Sequence, residues 1–307
     1  MRVAITGGAG FIGANLAQHL VDAGARVTVF DDLSSGSTAN LAGLDVDFIE
    51  GSILSMERSQ PLHDADAVVH LAAIPSVPRS IKDPVSTHEA NATGTLRVLE
   101  AVRARGTHVI LASSSSVYGA NPTLPKVESM RPVPISPYAV SKLAAESYAL
   151  AYQACYGLPV LAFRFFNVFG PLQSPGHAYA AVIPAFAHAA TRGERATVHG
   201  DGTQSRDFTY VGTVVATIAD AIERRVCSPE PVNLAFGTRH TLLDVVTLIE
   251  AHTGRQMLLD HVDPRPGDVR DSQADSSLLK SLFPDIVPVS LDKGLATTIA
   301  WMQEWSS

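Results

Sequence analysis

The sequence predicts an α/β protein, a parallel sheet wound with helices on both faces. Three observations carry this. Short β-branched runs alternate with longer helical patterns. A glycine-rich turn follows directly on the first run. The 307 residues are 46% hydrophobic and 17% charged, ample material for a large core and too apolar for a disordered chain. Taken in order, the pattern reads as a strand at 2–6, a helix at 12–23, and strands at 26–31 and 46–50. A strand at 67–72 is apolar enough to be buried on both faces. A long helix at 85–105 and a strand at 108–113 follow, then a helix at 138–156 and a strand at 160–165. Right-handed crossovers make such an alternation doubly wound. After Gly170 the rhythm breaks at Pro171, Pro175 and Pro184. The tail holds a helix at 242–253 and a loop at 260–271 rich in Asp, Arg and Pro.

Composition excludes several functions. Lys and Arg number 23 against 30 Asp and Glu, a net charge of −7, so no basic surplus exists to hold nucleic acid. No apolar run nears the ~20 residues that span a bilayer. The opening Val3-Ala4-Ile5 breaks at once into Gly7, Gly8 and Gly10, so it reads as strand and turn rather than an export signal. Two cysteines, Cys155 and Cys227, are too few for a disulfide framework and fit a reducing cytoplasm. The eleven histidines form no pair at metal-ligand spacing, and no metal site is expected.

Residues 6–13 read Thr-Gly-Gly-Ala-Gly-Phe-Ile-Gly. Gly7, Gly10 and Gly13 stand three apart, between a strand and a helix. That spacing suits a tight turn whose backbone N–H groups and helix start meet a pyrophosphate, as in a Rossmann-type dinucleotide fold. Asp31 ends the next strand, 18 residues past Gly13, where a carboxylate accepts the adenosine ribose hydroxyls and repels a 2′-phosphate. No Lys or Arg lies between Asp32 and Asn40, so NAD is the expected cofactor, not NADP.

Tyr138 and Lys142 stand four apart at the head of a helix, on one face. A free tyrosine titrates near ~10. A neighbouring ammonium and an oxidised nicotinamide favour its phenolate, which then serves as a base at a hydroxyl whose carbon loses hydride. Upstream, Ser113-Ser114-Ser115-Ser116-Val117-Tyr118-Gly119 ends a strand, at the sheet edge where open α/β folds bind ligands.

Together these residues resemble the extended short-chain dehydrogenase/reductases, and within them the nucleotide-sugar epimerase/dehydratase group, most nearly the UDP-glucose and UDP-N-acetylglucosamine 4-epimerases. The likeness spans nearly the whole chain. It rests on the glycine turn, Asp31-Asp32-Leu33-Ser34-Ser35-Gly36, His70-Leu71-Ala72-Ala73, the serine run and Tyr138/Lys142. It continues through 164–171 (Arg-Phe-Phe-Asn-Val-Phe-Gly-Pro), 200–208 (Gly-Asp-Gly-Thr-Gln-Ser-Arg-Asp-Phe) and 265–268 (Arg-Pro-Gly-Asp). The resemblance implies Ser114 as catalytic hydroxyl, Tyr138 as base and Lys142 as holder of the nicotinamide ribose. For the cofactor it implies Gly7, Gly10, Phe11, Ile12, Gly13, Asp31, Asp32, Ser35 and Gly36. Ser52, Ile53, Leu71, Ala72, Ala73, Asn91, Tyr138 and Lys142 complete that set. For a UDP-sugar it implies Ser76, Ser114, Ser115, Asn167, Arg206, Arg265, Asp268 and Ser272, with the two arginines on the diphosphate. It further implies a cofactor half at 1–168 with a return near 207–236, and a sugar-nucleotide part at 169–206 and 237–307. A homodimer through a four-helix bundle is implied too, using apolar faces at Leu143, Tyr148 and Leu150.

The expected reaction is 4-epimerisation of a UDP-hexose through a 4-keto sugar. Dehydratases of the group carry an acidic pair where Ser115 and Ser116 stand here. Glucuronate epimerases place Thr and Arg where Asn167 and Ser174 stand, so a neutral sugar is favoured. Ser272 leaves room for an N-acetyl group at C2. A dehydratase, a glucuronate epimerase or decarboxylase, a reductase and a non-catalytic NAD-binding scaffold remain alternatives, as do other nucleotide bases. Two positions depart from the family. Gly212 replaces an Asp that caps a helix, and Ser52 replaces an Asp near the adenine.

Overall fold

The computed structural model describes residues 1–56, 62, 64–175, 181–263 and 269–305. Chain order begins β1 (Arg2–Thr6), α1 (Phe11–Asp22), β2 (Arg26–Asp31), β3 (Val46–Glu50), β4 (Ala67–His70), α2 (Val77–Lys82) and α3 (Pro84–His88). A π turn (Glu89–Thr93) leads into α4 (Gly94–Arg103), β5 (His108–Ser114), α5 (Pro137–Tyr156), β6 (Val160–Phe165) and β7 (Val168–Phe169). The remainder is α6 (Val182–Arg192), β8 (Arg195–His199), β9 (Ser205–Arg206), β10 (Thr209–Tyr210), α7 (Val211–Glu223), β11 (Val232–Leu234) and β12 (His240–Thr241). Then come α8 (Leu242–Thr253), β13 (Leu258–Val262), α9 (Ser277–Leu282) and α10 (Leu291–Trp305).

Seven strands form one parallel sheet in the order β3-β2-β1-β4-β5-β6-β11. Alternate residues feed opposite faces, the period-2 rule of a strand. Val3, Ile5, Leu161 and Phe163 pack under α1, α7 and α9. Ala4, Val68, Val160 and Ala162 pack under α4 and α5. Burial on both faces explains why these strands read as continuous apolar runs. A separate core gathers α6, α8, α10 and β8 beyond the sheet. The strand order reverses between β1 and β4, which opens a crevice at their carboxyl ends.

Three expected elements differ. The helix at 85–105 is interrupted by the π turn, because Asn91 turns its amide onto the Ile74 backbone and Ser141 instead of solvent. The strand expected to reach Ala72 ends at His70, where the ring locks between two hydroxyls. The loop at 260–271 begins inside β13, which pairs with β8. Among the described residues no helix is long and apolar enough to cross a membrane.

Two buried polar chains fix the layers at the crevice. Glu146, one turn past Lys142 on α5, takes Arg164 of β6 at 2.7 and 3.0 Å and the Ser113 hydroxyl at 2.6 Å. Both ionic side chains are under 5% exposed. Arg164 also donates to the Glu128 carbonyl (3.1 Å) and lies 4.7 Å over the Tyr118 ring, whose hydroxyl meets Asn233 of β11. In the second chain Thr95 gives its proton to the Asn91 carbonyl (2.6 Å). Its oxygen therefore accepts from His70 Nε2 at 2.9 Å, and His70 Nδ1 accepts from Thr6 at 2.6 Å. The ring is thereby assigned neutral and Nε2-protonated. Burial, then the charge of Lys142, push its pKa from 6.5 to about 3.

Glu146→Ala strands a buried guanidinium and is expected to cost about 3–5 kcal/mol. It is read as a lower urea midpoint at unchanged slope, and a loss under about 1 kcal/mol would show that the pair does not hold α5 in place. His70 takes up a proton on unfolding at any pH between about 3 and 6.5. Its contribution is full above 6.5 and is lost as pH falls, at up to about 1.4 kcal/mol per pH unit. Unfolding free energies at pH 6.5 and 5 should therefore fall less in His70→Asn than in the unaltered chain; equal losses would contradict a neutral ring.

Candidate active site

The glycine turn sits at the mouth of the crevice. Gly7 has φ +72°, and a Cβ there would lie 2.6 Å from the Ala72 nitrogen. A Cβ on Gly13 would lie 2.3 Å from the Gly7 carbonyl oxygen. Only hydrogen fits at either place, which is the condition for a backbone cradle. Gly10 caps α1 without a side-chain hydrogen bond, so among the described residues no side chain caps the first-turn N–H groups of Phe11, Ile12 and Gly13. Leu71, Ala72 and Ala73 leave β4 on the other side, with Leu71 N bonded to the Thr6 carbonyl.

Asp31 is buried, and its oxygens accept Ala9 N (3.0 Å) and Leu33 N (2.9 Å). Burial raises its pKa, while those two amides lower it. A carboxylate has about four acceptor sites, so two remain for ribose hydroxyls. The turn through Asp32, Ser35 and Gly36 folds back on Ala9, whose carbonyl takes Ser37 N and the Asn40 amide. Ser52 caps a short 3₁₀ turn through Leu54 N (3.3 Å), and Ile53 enters the core under α4. Glycines without Cβ, a helix start without a side-chain cap and a half-used carboxylate are a donor set that fits a dinucleotide.

α5 begins with Ser136 as cap and Pro137 in its first turn. Tyr138 is half-buried, and Lys142 is buried one turn later. Lys142 Nζ donates to the Ala112 carbonyl at 2.7 Å, and burial pushes its pKa down to about 8. Burial raises the Tyr138 pKa, and the Ser114 hydroxyl beside it pulls the other way. Ser114 ends β5 and caps the 3₁₀ turn that starts at Ser115. Asn91 reaches α5 through Ser141 (2.9 Å), which bonds the Tyr138 carbonyl. Sheet, cofactor-side loop and helix thus converge on one phenol.

The residues assigned to the sugar nucleotide divide. Asn167, two residues past β6, donates to the Asp207 carbonyl (3.2 Å). Ser272 N bonds the Ser205 carbonyl (3.1 Å). Arg206 lies between them and donates to the carbonyls of Ser205 and Arg270. The 205–207 segment therefore gathers three of the set. Ser76 caps α2. Arg265 and Asp268 lie outside the described residues. Of the apolar face expected on α5, Leu143 and Leu150 pack inward and only Tyr148 stays exposed. α7 has Tyr210 at its N-cap and no side-chain cap; Gly212 is the second residue of the helix, so it does not stand at the capping position expected of it.

Four polar residues escaped the sequence reading. Glu146 had a signal, since it continues the Tyr138, Lys142 spacing along the buried face. Asp207 is wholly buried and accepts Gly237 N, Ala274 N and the Thr238 hydroxyl, with its pKa raised by burial to about 6. His70 lies in a quoted motif without an assigned task. Ser116 bonds Ser114.

Comparisons with known proteins agree with this geometry. The family model described as the NAD dependent epimerase/dehydratase family matches residues 3–235. A UDP-glucose 4-epimerase of Mycolicibacterium smegmatis is 33% identical over the full length of both chains. A UDP-N-acetylglucosamine 4-epimerase from Methanobrevibacter ruminantium, solved with UDP-N-acetylmuramic acid, superposes with a TM-score of 0.94 at 35% identity, over 99% of this chain and 98% of that one. The UDP-glucose 4-epimerase of Thermotoga maritima, solved with UDP-glucose, gives 0.93 at 35% identity over all of both chains. With its glycine cradle, its Tyr138–Lys142 helix and this likeness from end to end, the chain belongs to the NAD-dependent epimerase/dehydratase family.

Proposed function

We propose that the chain is a UDP-hexose 4-epimerase that retains NAD through its cycle. The observation that carries this is Tyr138 one turn from the buried cation Lys142 and beside Ser114, in a chain that also carries the glycine cradle. Gly7, Gly10 and Gly13 and the start of α1 would receive the pyrophosphate, and Asp31 the adenosine ribose. NAD held there would supply the hydride acceptor, and then donor, for sugar C4. Tyr138 takes the C4 hydroxyl proton as that carbon is oxidised, and returns it to the ketone oxygen as the carbon is reduced. Lys142 supplies the positive charge that favours the phenolate. Ser114, beside the phenol, assists Tyr138 in that transfer. Arg206 and Arg265 hold the diphosphate while the ketosugar turns over between the two hydride steps.

Substrate choice follows from the same positions. Ser115 and Ser116 offer no carboxylate to expel water, which weighs against dehydration. Ser174 supplies no cation for a uronate, which favours a neutral sugar. Ser272 leaves space at C2, so UDP-N-acetylglucosamine and its galacto epimer are the first substrates to test, with UDP-glucose and UDP-galactose beside them. The similar proteins named above are 4-epimerases of these two sugar classes.

A homodimer in a cytoplasmic setting completes the proposal. Val85 is 65% exposed, Val140 49% and Tyr148 42%, side chains that water alone covers in a single chain. Val140 lines a groove with Pro84, His88, Pro134, Ile135 and Pro137.

Proton NMR of the purified protein with each UDP-sugar, without added NAD, tests this reading. A galacto anomeric signal should grow from UDP-N-acetylglucosamine or UDP-glucose and not from UDP-glucuronate. Tyr138→Phe should lower the rate by at least about 10²–10⁴-fold with the fold intact. Undiminished turnover in that variant would overturn the mechanism. A stable 4-keto product would reassign the reaction to dehydration. Sedimentation as a single chain would remove the dimer.

A further inference from the structure

Ser114 has more partners than a lone catalytic hydroxyl needs. As the cap of the turn from Ser115 to Tyr118, its Oγ accepts Ser116 N at 3.2 Å. The Ser116 hydroxyl donates to the same oxygen at 2.9 Å. A hydroxyl has two acceptor sites and one proton. Both acceptor sites of Ser114 are therefore filled from one residue, two positions along the chain. The one remaining capacity is the Ser114 proton, and the group beside it is the Tyr138 phenol.

We propose that Ser116 is a positioning residue that fixes the direction of the Ser114 hydroxyl, making it a donor toward the Tyr138 oxygen in both halves of the reaction. The proposal rests on the reading of Tyr138 as base. With Ser114 saturated as acceptor, a protonated Tyr138 finds no lone pair there to donate into. Its proton is left for the sugar C4 oxygen. The ionised Tyr138, an acceptor only, gains the Ser114 proton as a hydrogen bond. The balance is simple: one proton moves between the C4 oxygen and Tyr138, and neither serine gains or loses one. Without the Ser116 hydroxyl, Ser114 would regain a free acceptor site. The neutral phenol would then bond to it, and the base would be harder to form.

Tyrosinate absorbance measured against pH isolates Tyr138 when each protein is subtracted from its own Tyr138→Phe partner. It needs no substrate. Ser116→Ala keeps the backbone N–H that the cap requires, so the turn is retained, and Ser116→Thr keeps the hydroxyl as well. In Ser116→Ala the Tyr138 midpoint should rise by about one pH unit, and the acid limb of kcat should move with it, about tenfold in rate at neutral pH. KM for the UDP-sugar should stay within about twofold, since uniform binding is untouched. Ser116→Thr should restore the midpoint. An unmoved midpoint in Ser116→Ala, or an equal rise in Ser116→Thr, would overturn the proposal. If the unaltered chain turned over no UDP-sugar, the epimerase reading would fall, while the absorbance titration would still decide the role of Ser116.

Discussion

The pair between Glu146 and Arg164 is the constraint on which the geometry of the candidate site depends. Glu146 belongs to α5, Arg164 to β6, and the Ser113 hydroxyl that shares the carboxylate belongs to β5. Three elements are therefore set at one point, one turn from Lys142 and one residue from Ser114. A buried ion pair is weak evidence of net stabilisation, because desolvating two charges offsets their attraction. Burial alone would weaken the hold of Arg164 on its proton, and Glu146 more than offsets that. Its value here is directional. An apolar pair of equal volume would fill the space, but it would not fix how far α5 slides along β5. A slide of one residue would carry Tyr138 past Ser114.

Among the described residues, Lys142 has no carboxylate partner. Lys142 is buried against a carbonyl rather than a carboxylate, which is why its proton is held less firmly than in water. His70 is close enough to feel that charge, and burial, then that charge, keep it neutral between its two hydroxyl partners. A second cation would repel Lys142, and an anion beside it would quench it. Either would weaken the field that favours the phenolate in the proposed reaction. The carboxylate of Asp31 is held apart at the end of β2, where it serves the glycine turn instead.

Much of this was legible in the sequence, because its cause is local. β1, β2 and β6 fall on the expected residues, since an apolar run bounded by turn residues has one way to lie in a buried parallel sheet, and β3 does so as a partly exposed edge strand. Gly7 and Gly13 were legible because only glycine survives those contacts. Tyr138 and Lys142 were legible from helical spacing. What was hidden depends on partners distant in the chain. The π turn needs Asn91 to meet Ile74, 17 residues away. Leu143 and Leu150 have the composition of an open face, yet they turn inward because the neighbouring loops and α4 reach them. Ser116 was hidden for another reason: in a run of four serines, only the cap geometry tells which hydroxyl serves which.

The 205–207 segment is joined to the sheet by a different device. Asp207 is buried without a cation and holds three backbone or hydroxyl donors, from the loop after β11 and from Ala274. That cost is visible in its raised pKa, and it gives the 205–207 segment a fixed place relative to the sheet strand β11. Arg206 is the residue before it. In the proposed cycle the diphosphate must stay put while the sugar presents each face in turn to the same side of the site. A phosphate anchor on a free loop would let the whole nucleotide wander with the sugar. One rooted through Asp207 confines the motion to the bonds between phosphate and pyranose, where inversion at C4 requires it.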